Sequence, residues 1–421
     1  MVKDMRLLWL CNIVPTAIAQ KNGESAGNGL WLDNMLQELR AQGHILHILC
    51  RGSESRGSLD DRCSYTVFEE KLPQVYESRL EALFREELMH FQPDVIHIWG
   101  TEYGHTLAMV NAAESANLLD RTVINIQGLC SVIANHYVEG IPYGVQCLGS
   151  VRDVLRRDNL LQQREKYIQR GELECKALQK AKHVIGRTDW DRACVLRMNP
   201  DIQYHFCNET LRADFFEDIW RYERCTAHSV FASSCAYTFK GFHHLLEAMA
   251  EVVKHYPDAA IYVTGDSFLA AGGWKAKLRQ TGYKCYLSTL ARKYALEDKI
   301  HFLGGLNAQK MKEAYLNANV FVLPSTIENS PNSLGEAMLL GVPCVASDVG
   351  GVTNLMTHGQ EGYVYPSTAP YMLAYYIQKI FAMEDRAEEL GEKAKLHAQK
   401  THDPASNMEA LLGIYRNIGE T

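Results

Sequence analysis

Three features of this sequence suit a ligand that carries both phosphates and sugar hydroxyls. Glu328 and Glu336 lie in the stretch FVLPSTIENSPNSLGEAMLLGVP, residues 321–343. Carboxylates are poor neighbours for phosphate, but they accept hydrogen bonds from hydroxyls well. Between the two, Ser330 reads as a helix N-cap and Pro331 as the first helical residue, where a missing N–H costs nothing. Gly341 ends that helix and Pro343 prevents its resumption. The N–H groups of Asn332, Ser333 and Leu334 would then point out of the helix start, with the positive end of the dipole behind them, an anion site. Lys240, in TFKGFHHLLEAM at 238–249, opens another helix and offers a compact positive charge to a diphosphate. On spacing alone, a capped core helix with two solvated glutamates and a surface lysine fits equally well.

The order of the stretch is more specific than any pair in it. An apolar run at 320–323, a Pro-Ser, Glu-x7-Glu, Gly-x-Pro at 341–343 and SDVGG at 347–351 together resemble the donor-site signature of the family-4 retaining glycosyltransferases. The resemblance is close over 228–366 and loose over the rest. It implies an α/β protein of the GT-B fold, two Rossmann-like doubly wound domains facing across a cleft. It also implies transfer of a sugar, with retention at the anomeric carbon, from a UDP- or GDP-linked donor to a hydroxyl of a carbohydrate or lipid-linked glycan. No metal and no other cofactor is implied. Carried over, Glu328 faces the donor sugar and shares the catalytic role with Lys240, while Glu336 holds the ribose. The backbone at Ser330, Asn332, Ser333 and Leu334 binds the diphosphate. Gly304 and Gly305, in HFLGGL, let backbone approach the nucleobase, and Gly27 and Gly29, in GESAGNG, abut the donor phosphates and the acceptor. The chain departs from the family pattern at three points. Ser233, Ser234 and Cys235 stand where an arginine usually precedes the Lys-Gly pair, which leaves Lys240, Arg187 or Arg212 to supply the charge. Gln127 falls where many relatives carry histidine, and Asn354 stands where glutamate is common.

The elements that must position these residues follow a β-α alternation. Strands are expected at 7–14, 45–50, 94–99, 122–126, 184–186 and 202–207, then at 229–233, 259–264, 299–304 and 320–323, with helices between them. A length of 421 residues favours two domains. These are placed at 1–210, on the acceptor side, and 226–400, on the donor side, with a last helix from about 401 crossing back to the first. Gly27 and Gly29 lack the third glycine of a dinucleotide fingerprint, which disfavours a dehydrogenase. Residues just past strand ends line the crevice of such sheets, which nominates Glu102, Gln127 and Arg187. The irregular stretch 129–150 nominates His136 for the acceptor side. His97, inside a strand, reads as a core residue.

Composition narrows the partners. A hydrophobic share of 47% indicates a folded protein, and a net charge of -7 disfavours nucleic acid as a partner. Twelve cysteines with no Cys-x2-Cys spacing give neither a zinc site nor a disulfide framework and fit reduced thiols in the cytoplasm. No secretory signal and no spanning segment is visible, so any membrane role is expected to be peripheral. The basic stretch 151–182 reads as one long helix or a helix pair, either an ordinary solvated face or a surface for anionic lipid. RTDWD at 187–191 imitates the Asp-x-Asp metal motif of the other major glycosyltransferase fold, yet Thr188 and Asp191 have the spacing of a helix cap. A bacterial envelope, capsular or exopolysaccharide pathway is implied by analogy alone. A nucleotide-sugar epimerase and a non-catalytic nucleotide-sugar binder are the alternatives.

Overall fold

Apolar strands alternating with helices build two separate sheets in the computed structural model, which describes residues 4–23, 30–269 and 280–420. The first sheet holds eight strands: β1 (Arg6–Cys11), β2 (Ile45–Arg51), β3 (Ser55–Asp60), β4 (Cys63–Phe68), β5 (Val95–Trp99), β6 (Thr122–Asn125), β7 (His183–Gly186) and β8 (Gln203–Phe206). Their order is β3-β4-β2-β1-β5-β6-β7-β8, and every pairing is parallel except β3 with β4. The second sheet holds β9 (Thr226–Ala232), β10 (Ala260–Val263), β11 (Ile300–Phe302), β12 (Ala318–Leu323), β13 (Cys344–Ser347) and β14 (Tyr363–Tyr365). Its order is β11-β10-β9-β12-β13-β14, parallel throughout. The central strands β1, β5 and β12 are apolar and buried on both faces, as helix-covered parallel strands must be.

The chain divides into two compact units, Met1–Val132 with Lys166–Arg212 and Asp403–Thr421, and Ile133–Glu165 with Ala213–His402. Helix Pro404–Gly419 lies in the first unit, started by Asp403, whose side chain accepts the Ser406 N–H at 2.8 Å. Its Tyr415 hydroxyl accepts from Trp9 Nε1 on β1 at 3.1 Å and lies 2.5 Å from His97 Nδ1 on β5. His97 is fully buried, and burial lowers its pKa to about 3, so it is a neutral core group.

Residues 133–165 do not follow the expected boundary at 210; they pack with the second unit. The reason is a set of hydrogen bonds to backbone carbonyls. Thr238 Oγ1 donates to Tyr137 O, Thr326 Oγ1 donates to His136 O at 3.1 Å, and His243 Nε2 pairs with Glu139 O at 3.0 Å. The stretch expected to be irregular holds two helices, Cys130–His136 and Tyr143–Leu148. The basic stretch is broken into Val151–Arg156 and Leu160–Lys180 by Arg157, which is left-handed at φ 50°. All twelve cysteines are free thiols.

Glu174, in Leu160–Lys180, is buried beneath the end of β6. Its two oxygens accept from Thr101 Oγ1 (2.7 Å), Cys130 N (2.9 Å), Ser131 N (3.0 Å) and Ser131 Oγ (2.6 Å). Burial raises its pKa to about 7 against the pull of those donors. The folded chain therefore retains a proton that the unfolded chain has lost. That contribution is complete below the ordinary glutamate pKa and disappears as pH rises through about 7, a change of roughly 3 kcal/mol. Glu174→Gln should flatten that part of the stability–pH curve, measured by urea unfolding between pH 5 and 8. An unchanged slope would contradict the assignment.

Candidate donor-binding site

The loops that leave the carboxyl ends of β9, β12 and β13 converge in the second unit. After β9, the turn Thr238–Lys240 ends at Gly241, which is left-handed at φ 66° and caps helix Phe242–His255. After β12, Pro324 to Pro331 leads into helix Asn332–Leu339. Lys240 Nζ donates to Glu328 Oε1 at 2.6 Å, and Ser325 Oγ donates to the same oxygen at 2.7 Å. The lysine side chain is 29% exposed and the glutamate 10%, so this is a sheltered pair with an open cationic side.

Backbone contacts fix these loops to one another. Thr326 N–H donates to Phe239 O at 2.8 Å, and Ser347 Oγ donates to Ser325 O at 2.6 Å. Gly351 N–H donates to Glu328 O at 3.3 Å. A Cβ on Gly350 would stand 1.8 Å from that same carbonyl, so the Gly350–Gly351 turn can approach Glu328 only as glycine.

The helix start differs from the expectation by one position. Pro331, at φ -71° and ψ 110°, is the N-cap in place of Ser330, and the helix begins at Asn332. The Leu334 N–H donates to Pro331 O at 3.0 Å, which removes it from the expected anion donors. Ser330 is buried just before the cap. Glu336 is also buried, one turn along, and the Tyr315 hydroxyl bridges it to the backbone, at 3.3 Å from Glu336 Oε2 and 2.9 Å from Ser333 O. Gly304, left-handed at φ 68°, pairs with Gly265 through Gly265 N–H to Gly304 O at 2.9 Å, and open space surrounds both Gly304 and Gly305. Cys235 is buried, and burial raises its thiol pKa to about 11. His136 lies in this unit: its carbonyl accepts from Thr326 Oγ1, and its ring pairs with Glu139 at 2.7 Å.

In the first unit, the end of β1 and the turn after β5 make a second polar cluster. Asn12 Nδ2 donates to Glu102 Oε2 at 3.1 Å, and Asn12 Oδ1 lies 2.9 Å from His105 Nε2. His105 Nδ1 lies 3.1 Å from Glu70 Oε2, and Arg51 pairs with the same carboxylate at 3.2 Å. Burial would raise the Glu70 pKa, but His105 and Arg51 outweigh it and hold it below the usual value. Burial raises the Glu102 pKa. Glu102 is the expected crevice residue of this cluster, and the structure adds Asn12, one residue past a strand end, and His105 as its partners.

Two other nominees are consumed internally. Arg187 is buried, its guanidinium 2.7 Å from Glu209 Oε2, so it is unsuited to serve a ligand phosphate. Gln127 Nε2 donates to Asn125 Oδ1 at 2.7 Å and to Glu209 Oε1 at 2.5 Å, closing the same network. The RTDWD motif is a capping box: Thr188 Oγ1 accepts from Asp191 N at 3.1 Å, and Asp191 accepts from the Thr188 N–H. Gly27 and Gly29 lie outside the described residues.

Comparison with known proteins agrees with this geometry. Residues 228–397 match the family model "Glycosyl transferases group 1". A putative colanic acid biosynthesis glycosyltransferase, WcaL of Salmonella typhimurium, is 31% identical over 141 residues, covering 32% of this chain and 31% of that protein. The chain spans less than half the length of the curated relatives it matches. Among solved structures, sucrose-phosphate synthase from Thermosynechococcus elongatus aligns with TM-score 0.71 at 17% identity, over 98% of this chain and 99% of that one. Anabaena HepE in complex with UDP-glucose aligns with TM-score 0.65 at 17% identity, over 99% and 98%. These likenesses show the fold, the GT-B class with two parallel-sheet Rossmann-like units.

Proposed function

We propose that this protein is a retaining glycosyltransferase that moves a sugar from a nucleoside-diphosphate sugar to a hydroxyl of a carbohydrate or lipid-linked glycan. One observation carries the reading: Lys240 and Glu328 meet at 2.6 Å on loops that leave the carboxyl edge of one parallel sheet, and the Glu328 loop runs directly into helix Asn332–Leu339. That edge is where open α/β sheets bind their ligands. As the glycosidic bond breaks, negative charge grows on the leaving diphosphate. The Lys240 ammonium and the first-turn amides of the helix meet that charge with little reorganisation. Glu328, relieved of part of its pairing, accepts hydrogen bonds from the sugar, and Glu336 takes the ribose hydroxyls. Glu102, oriented by Asn12, supplies a hydrogen-bonding carboxyl on the acceptor side. An envelope or exported polysaccharide is the proposed product, in line with the colanic acid relative.

A thermal-shift panel of UDP, GDP, ADP and their sugars tests the donor. UDP compounds are the first probes, because a protein of this fold is solved with UDP-glucose. One nucleobase should stand out, with stabilisation of about 2.7 kcal/mol at a hundredfold excess over Kd. No shift with any of the nucleotides would end the donor-site reading.

A further inference from the structure

The helix Val151–Arg156 is turned inside out. Val151, Val154 and Leu155 share one face at i, i+3 and i+4 spacing, and that face meets solvent, with Leu155 81% and Val154 68% exposed. The residue turned inward is the acid. Asp153 is buried, and its Oδ2 accepts from Ser150 N at 3.0 Å and from Gly282 N, at the start of helix Gly282–Lys293, at 2.5 Å. A helix on an ordinary globular surface does the reverse. Tyr143 and Leu148, 73% and 75% exposed, extend the apolar patch.

This patch is built, not frayed. Ser150 and Asp153 form a capping box, and Asn159 Nδ2 donates to Cys147 O at 3.1 Å. Arg156 and Arg157 are exposed at the helix end. Arg152 pairs with Asp153 at 2.9 Å and with Asp158 at 3.4 Å, so the positive charge of the patch is that of Arg156 and Arg157, in a chain of net charge -7.

We propose that residues 143–157 form a docking surface for an anionic lipid bilayer. Val154, Leu155 and Leu148 enter the headgroup–acyl boundary while Arg156 and Arg157 meet lipid phosphates. Charge chooses the lipid over a second copy of this chain. A twofold interface built on the patch would bring the arginines of both copies together, and like charges oppose that. The proposed attachment is peripheral, and no described helix is long and apolar enough to cross a membrane. The proposal is independent of the transferase reading.

The test is co-sedimentation of the full chain with phosphatidylcholine vesicles, with and without 30 mol% phosphatidylglycerol. Binding is expected on the anionic vesicles and should weaken in 0.5 M salt. The double variant Arg156→Gln with Arg157→Gln should lower the partition coefficient about 30-fold. Leu155→Ser should lower it about 10-fold or more, with an unchanged circular dichroism spectrum. Absence of binding to either vesicle, or binding that both variants leave intact, overturns the proposal. So does a dimer in sedimentation equilibrium that Leu155→Ser dissociates.

Discussion

Lys240→Ala should lower kcat by about 100- to 1000-fold, the usual loss when one preorganised donor to developing charge is removed. The ammonium is held by the Glu328 carboxylate at 2.6 Å, on the loop that runs into helix Asn332–Leu339, so it is already placed before the donor arrives. The charge it meets is larger in the transition state than in the bound donor. The loss should therefore fall on kcat more than on KM. The fold should tolerate the change: Ser325 Oγ still donates to Glu328 at 2.7 Å, and the lysine is 29% exposed, so its ion pair is screened and adds little to stability. Lys240→Arg should recover part of the rate, because charge is kept while the geometry changes. Initial rates at saturating donor, with the nucleotide chosen by thermal shift, decide the matter. A folded Lys240→Ala protein with near-parental turnover would remove the residue from leaving-group stabilisation.

The meeting of Lys240 with Glu328 was legible because the pattern behind it is local. A strand, a proline stop, two glutamates and a glycine-ended helix lie within one short stretch, and the strand-end rule places Lys240 on the same edge. The one-residue error at the helix start has a local cause as well: Pro331 adopts extended backbone and serves as the cap instead of the first helical residue. The Arg187–Glu209 pair was not legible because Glu209 lies beyond helix Asp189–Met198 and strand β8, where spacing gives no hint of contact.

The assignment of 133–165 to the second unit was not legible, because carbonyls of His136, Tyr137 and Glu139 do the holding, and a carbonyl has no sequence signature. Strand β3, SRGSLD, is largely exposed and carries no apolar alternation, so the antiparallel edge was invisible too. Periodicity in Val151–Arg156 marks an apolar face but does not say which way it points. The burial of Asp153 decides that, and it depends on Gly282, far along the chain.

Gly241→Ala should disable the same site by a different route, through backbone rather than charge. At φ 66° an alanine carries a left-handed penalty of roughly 1–2 kcal/mol. Its Cβ would also stand 1.8 Å from Pro324 O and 2.7 Å from Pro324 C, so the loop after β12 must retreat. That loop cannot retreat alone. Thr326 N–H is bonded to Phe239 O, Ser347 Oγ to Ser325 O, and Glu328 to Lys240, so the displacement carries the Lys240–Glu328 pair with it. A shift of about 1 Å at a reacting centre costs on the order of 100-fold in rate. Strain and lost contacts together should lower unfolding free energy by about 2–4 kcal/mol. Gly413→Ala is the control: it lies in helix Pro404–Gly419 with open space around its Cβ, and alanine there should raise stability by up to about 1 kcal/mol. The comparison is made by urea unfolding of both variants, alongside turnover of Gly241→Ala. Parental values for Gly241→Ala would mean that the turn relocates without moving Glu328, and the rigid coupling of these two loops would then be wrong.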